Sequence, residues 1–260
     1  MLTIENTKKL TGVTISGTHD DLYELYHAIE NVLGPEDQGD LTSLRILAVC
    51  YDLRHCFMGD RDIEFVDNGY DEELQKYFGE KHPGTNVHFS VDILWLDVMF
   101  AALALDDAIK RYANDRTFNL MMKNAGMEED QKQYYFMTRY EDIALVRLFQ
   151  EKVWKAFRDA TGEAAFKRLY KKAKETECYN SSFRYSGFCA HYIDELQMKY
   201  LYAEPEKRKK LLATLVRKMI VLGEDYYQLH HEVSSYALEN GVDPSQVRLK
   251  GVDYPEHLEW

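Results

Sequence analysis

Apolar and polar positions alternate with a period of two at the start of the chain, then change to helical spacing after residue 18. Leu2-Thr3-Ile4 and Gly12-Val13-Thr14-Ile15-Ser16 are β-branched runs around a polar turn, which predicts a hairpin. Thr18 is placed to cap a helix. Asp20 and Asp21 fall in its first turn, Leu22, Leu25, Tyr26, Ile29 and Leu33 on one face, and Gly34 beyond its end. Residues 41–58 form a long apolar stretch without breakers and are expected to be helical, although Ile46 to Tyr51 alone would also suit a buried strand. Asp62-Ile63-Glu64-Phe65-Val66 alternates and ends in Asp67-Asn68-Gly69, the pattern of a strand and its turn. Asn86 to Val91 alternates again, and Ser90 is expected to cap a long helix reaching about Ala113.

From there the pattern is helical. Helices are expected over about 130–159, 162–176, 188–203, 205–222 and 224–239. Thr161-Gly162, Tyr179 to Ser182, Glu204-Pro205 and Gly223 separate them, with Pro205 suited to a first helical turn. The predicted fold class is α+β: a small N-terminal β-sheet with helices, followed by an all-helical C-terminal bundle. The expected division is an α+β domain over 1–115, a helical bundle over 116–245 and a C-terminal tail over 246–260. Alternating βαβ units with a glycine-rich phosphate turn are absent, which excludes a Rossmann or P-loop reading.

Composition narrows the function. A net charge of −12 opposes a general grip on nucleic acid or anionic membrane. The most apolar run, Ile93 to Leu105, is interrupted by Asp97 and falls short of the ~20 residues that span a bilayer. The first residues lack a signal-peptide pattern, and Cys50, Cys56, Cys178 and Cys189 form no C-x-x-C pair. Reduced thiols and a cytoplasmic location are therefore expected. The charge is uneven: residues 1–120 carry a net −12 and the remainder zero, yet residues 147–218 hold 17 basic against nine acidic side chains. This asymmetry suggests a homodimer that pairs acidic front with basic back.

Four groups of residues could carry chemistry. Acidic-x-x-His pairs at Glu24/His27 and Asp52/His55 have di-iron spacing, but chance supplies about 1.5 such pairs from this composition. Neither metal nor cofactor is expected. Arg184 to His191 fits the R-x(4–6)-H spacing of helical HEPN ribonucleases, in which His moves a proton and Arg steadies the phosphate. Chance yields about 1.35 such hits. Cys50-Tyr51-Asp52-Leu53-Arg54-His55 crowds polar groups onto one apolar segment, where Asp52 could orient His55 as a base or merely join a structural ion-pair cluster. Asp97 needs a cation, which Arg45 or Arg54 can supply. Finally, Lys167, Arg168, Lys171, Lys172 and Lys174 lie beside Phe166 and Tyr170, and Lys207-Arg208-Lys209-Lys210 opens a further basic helix, followed by Arg217-Lys218. Among them Lys167, Arg168, Lys171, Lys172, Lys207 and Arg208 are the candidate binding residues for RNA or an acidic protein surface.

The strings Thr11-Gly12-Val13-Thr14-Ile15-Ser16-Gly17, Cys50-Tyr51-Asp52-Leu53-Arg54-His55, Gly59 to Gly69 and Val87 to Trp95 resemble a family of uncharacterised bacterial proteins, mostly from Firmicutes. The resemblance covers about residues 1–115. It implies a bacterial, intracellular setting without an established activity. The expectation is a cytoplasmic interaction protein, regulatory or immunity-type, that binds another macromolecule without established catalysis. A HEPN-like ribonuclease or RNA-binding protein is the alternative.

Overall fold

The computed structural model describes all residues except 35–40, 80–82, 115–117, 120–122, 124–125, 180–183, 186 and 256, and the side chains of 129 and 176–179. Two short strands, β1 (Thr3–Asn6) and β2 (Gly12–Gly17), form the expected hairpin. Thr18 then caps α1 (His19–Leu33): its hydroxyl accepts from the Asp21 backbone N–H while the Asp21 carboxylate accepts from the Thr18 N–H. Next come α2 (Leu41–His55), a π-helical turn (Cys56–Asp60), β3 (Asp62–Asp67), α3 (Glu72–Phe78), β4 (Thr85–Leu94) and α4 (Trp95–Ala113). The remainder comprises α5 (Glu129–Thr161), α6 (Glu163–Tyr179), α7 (His191–Leu201), α8 (Pro205–Ile220), α9 (Glu224–Asn240) and a 3₁₀ turn (Pro244–Gln246). This is the α+β fold expected, with the small sheet first and helices after it. The break expected at Tyr179 to Ser182 falls largely outside the described residues.

The sheet is antiparallel with strand order β1-β2-β4-β3. β2 pairs the later half of β4, from Gly12↔Leu94 to Gly17↔Phe89, and β3 pairs the earlier half, from Asp62↔Ser90 to Asp67↔Thr85. β3 and the start of β4 therefore reach beyond the main sheet as a two-stranded arm. The long helix does not begin at Ser90. That residue is buried within β4, where ladder partners on β2 continue the strand to Leu94 and Val91 and Ile93 point into the core. Helix α4 starts at Trp95. A side chain at Gly12 is excluded, because its Cβ would lie 2.0 Å from the Ile93 carbonyl oxygen.

Buried side chains on both sides of residue 115 belong to one hydrophobic cluster, from Leu2 and Val13 through Trp95 and Phe149 to Tyr192 and Val247. α1 packs on α2, α4 and α5, and α5 also covers β1, whose Asn6 donates to the Ala156 carbonyl at 2.9 Å. One sheet edge is thus closed by a helix. The other edge, β3, has no buried residue.

Candidate functional site

Ile46, Val49, Cys50 and Leu53 turn one face of α2 inward, which leaves Tyr51, Asp52 and His55 at or near the surface. The Tyr51 and His55 rings meet at 4.3 Å. The expected Asp52–His55 pair is replaced by two other pairs. Gly59, at φ 86°, turns the chain back over the end of α2, so Asp60 meets His55 Nδ1 at 2.8 Å and Arg61 meets Asp52 at 3.0 Å. Both pairs fasten the turn to the helix. A Cys at 50 or 56 adds no reactivity, since burial pushes both thiols up, Cys56 to about 12.

The two nuclease candidates share no helix. Gly187, at φ 69°, separates them: Arg184 precedes α7 with its guanidinium 5.6 Å from the Tyr185 ring centroid, whereas His191 is the first residue of α7. His191 is buried, and its Nε2 donates to the Val247 carbonyl at 2.8 Å. The imidazole therefore ties α7 to the C-terminal segment.

Asp97 finds its cation in Arg45 rather than in the exposed Arg54. Arg45 reaches Asp97 at 2.8 Å and Asp194 at 2.5 Å, and Tyr254 donates to Asp194 at 3.1 Å. Burial pushes the Asp97 carboxyl up against the pull of Arg45, and pushes the Tyr254 phenol up to about 12. This network joins α2, α4, α7 and the C-terminal segment. It also lines a cavity of about 690 Å³ together with His191 and Arg248. Because Arg45 already bridges two carboxylates, the cluster is a crosslink and offers an anion little charge. A neighbouring cleft of about 490 Å³ holds Asp52, Asp62, Asp92 and Asp97 with Arg61, but no group of three metal-ligating side chains occurs among the described residues.

The six basic candidates separate by environment. Arg208 is buried and does not form part of the basic surface. Its guanidinium donates to the carbonyls of Lys9, Leu201 and Ala203 and to the Thr11 hydroxyl, because α8 packs that face against the β1–β2 turn and the end of α7. Lys167 pairs with Glu163 at 3.2 Å and Lys171 with Glu175 at 3.6 Å, Lys172 also has a partner, and Lys207 is exposed. Arg147 and Lys174 both meet Asp106, so part of the charge asymmetry is neutralised within the chain. Arg168 differs: with Lys209, Lys210 and Arg217 it lines a groove of about 660 Å³ between α6 and α8. The last three belong to the basic runs at 207–210 and 217–218 that the sequence already shows. Their positions on α8, at i, i+1 and i+8, were legible, but their meeting with Arg168 was not.

The arm carries the least expected feature. Register places Ile63 opposite Phe89 and Phe65 opposite Val87, which gives the ribbon an apolar face; Asp62, Glu64 and His88 share the other. Phe65 is 72% exposed, and Ile63 and Val87 are exposed with it. Between the strands lies α3, unassigned by the sequence pattern. Asp71 caps it, accepting from Glu73 N and Leu74 N at 3.0 Å. None of its residues is buried: Leu74, Tyr77 and Phe78 fall at i, i+3 and i+4, with Tyr77 83% exposed. From Asp60 to Phe78 the chain holds seven carboxylates against Arg61 and Lys76, and Arg61 is already held by Asp52. Large apolar side chains are thus exposed both on the arm and on α3.

Among the described residues no helix is long and apolar enough to cross a membrane. No curated protein and no solved structure significantly matches the chain. A family described as a domain of unknown function, DUF6904, matches residues 2–260, well beyond the first 115 that suggested a resemblance, and the chain belongs to that family.

Proposed function

We propose that this protein is a cytoplasmic bacterial interaction protein that binds a partner protein through the β3–β4 arm. The observation that carries this reading is the exposed apolar face of the arm beside a strand edge that no strand pairs among the described residues. An edge strand offers free N–H and C=O groups to an added strand, and alternate side chains then set specificity. On β3 those side chains are Ile63 and Phe65 on one face and Asp62 and Glu64 on the other. The complementary partner is an extended segment in which apolar and basic residues alternate. Self-pairing of β3 is disfavoured, because two copies would bring their carboxylates together.

The test uses two labelled peptides of identical composition, one alternating Val and Lys, the other with four Val followed by four Lys. Fluorescence anisotropy is expected to show binding of the alternating peptide alone, weakened at least tenfold by Phe65→Asp or Glu64→Lys. Equal binding of the two peptides, or unchanged binding by Phe65→Asp, refutes the reading. So does sedimentation that finds a dimer dissolved by Phe65→Asp, which would assign the arm to a second copy.

A further inference from the structure

The groove between α6 and α8 is independent of the arm. Its floor is small, formed by Ala165, Ala213, Thr161 and Thr214, so the two helices leave space between them. Its rim is cationic, with Arg168 from α6 and Lys209, Lys210 and Arg217 from α8. Among the described residues no carboxylate lines it and none of the four cations is ion-paired. This is unusual in a chain of net charge −12, whose neighbouring lysines at 167 and 171 are matched by glutamates at helical spacing.

We infer that this groove binds a compact, multiply charged phosphate compound. Four unpaired cations facing one hollow repel each other unless an anion lies between them. Two of them are arginines, whose planar forks suit phosphate oxygens, while lysines supply point charge. From Lys209 to Arg217 the helix rises about 12 Å, long enough for a few linked phosphates. The volume lies within the range of small-ligand sites, roughly 300–1,000 Å³. Two features favour a compact anion over an RNA strand. Among the described residues no aromatic side chain lines the groove, so base stacking has no platform there. The cationic surface also does not continue along α6, where Lys167 and Lys171 are already paired.

The test is calorimetric titration of the full chain at physiological ionic strength with tripolyphosphate, with sulfate and with a 12-nucleotide RNA. Tripolyphosphate is expected to bind at least tenfold more tightly than sulfate. The exposed double substitution Lys209→Gln/Arg217→Gln should lose at least tenfold of that affinity. Lys207→Gln, which removes a charge just outside the groove, should leave it unchanged. Circular dichroism verifies that both variants fold. Sulfate binding as tightly as tripolyphosphate reduces the groove to an adventitious anion site and overturns the inference. Equal losses in both variants overturn it as well, as does RNA binding more tightly than tripolyphosphate through the same residues.

Discussion

Replacing Arg45 with Leu strips the cation from two carboxylates that it now bridges, Asp97 on α4 and Asp194 on α7. Removing one partner of a buried pair costs about 3–5 kcal/mol, because the charge left behind is desolvated and uncompensated. The Arg45, Asp97 and Asp194 side chains retain 14%, 21% and 26% exposure, so the lower end applies, about 3 kcal/mol. At about 2–4 °C per kcal/mol for a chain of this size, Tm should fall by roughly 6–12 °C. The deficit has a characteristic pH dependence. Burial already raises the folded pKa of Asp97 above its usual 3.8, and losing Arg45 raises it further. A carboxyl with a raised folded pKa takes up its proton more readily when folded, so its penalty is full above that pKa and disappears as pH falls toward the unfolded value. The variant should therefore be much weaker than the parent at pH 8 and approach it as pH falls toward the unfolded value of 3.8. Urea unfolding followed by circular dichroism at several pH values measures this, provided m is unchanged. A deficit below 1 kcal/mol at pH 8, or one that is constant with pH, refutes the argument that Arg45 neutralises a desolvated pair.

Two further outcomes follow from the same geometry. His191→Ala should lower Tm, since the Val247 carbonyl loses its donor at a cost of about 1–3 kcal/mol, and purified protein should cleave no RNA; His191-dependent cleavage of any RNA refutes the structural role. Cys50, Cys56 and Cys189 are buried, and burial raises all three thiols, so a bulky thiol reagent at pH 8 should modify none of them before urea is added; peptide mapping that finds any of the three modified in the folded protein contradicts this.

Local chemistry made much of the fold legible in the chain itself. The Thr18–Asp21 cap, the breaks at Gly162 and Gly223, the Pro205 helix start and the alternation in β3 each depend on residues within a few positions. Hydrogen bonds and steric limits at that range do not wait for the rest of the molecule. Where a local rule failed, a distant partner was responsible: Ser90 could cap a helix, but the ladder with β2 held it in a strand. The candidate sites depended on such long-range proximity. Sequence showed that Asp97 required a cation, yet only packing of α2 on α4 selected Arg45 over Arg54. Alternation in Ile63 and Phe65 showed that one face of β3 is apolar, but not that it stays uncovered while the opposite sheet edge is closed by α5. The basic run at 207–210 gave no sign that Arg208 points inward and Lys209 and Lys210 outward. That division follows from the face α8 presents to the core, and the meeting with Arg168 from the docking of α8 against α6. Residues far apart in a chain become neighbours only when apolar surfaces pack, and packing decides which charges remain free to bind.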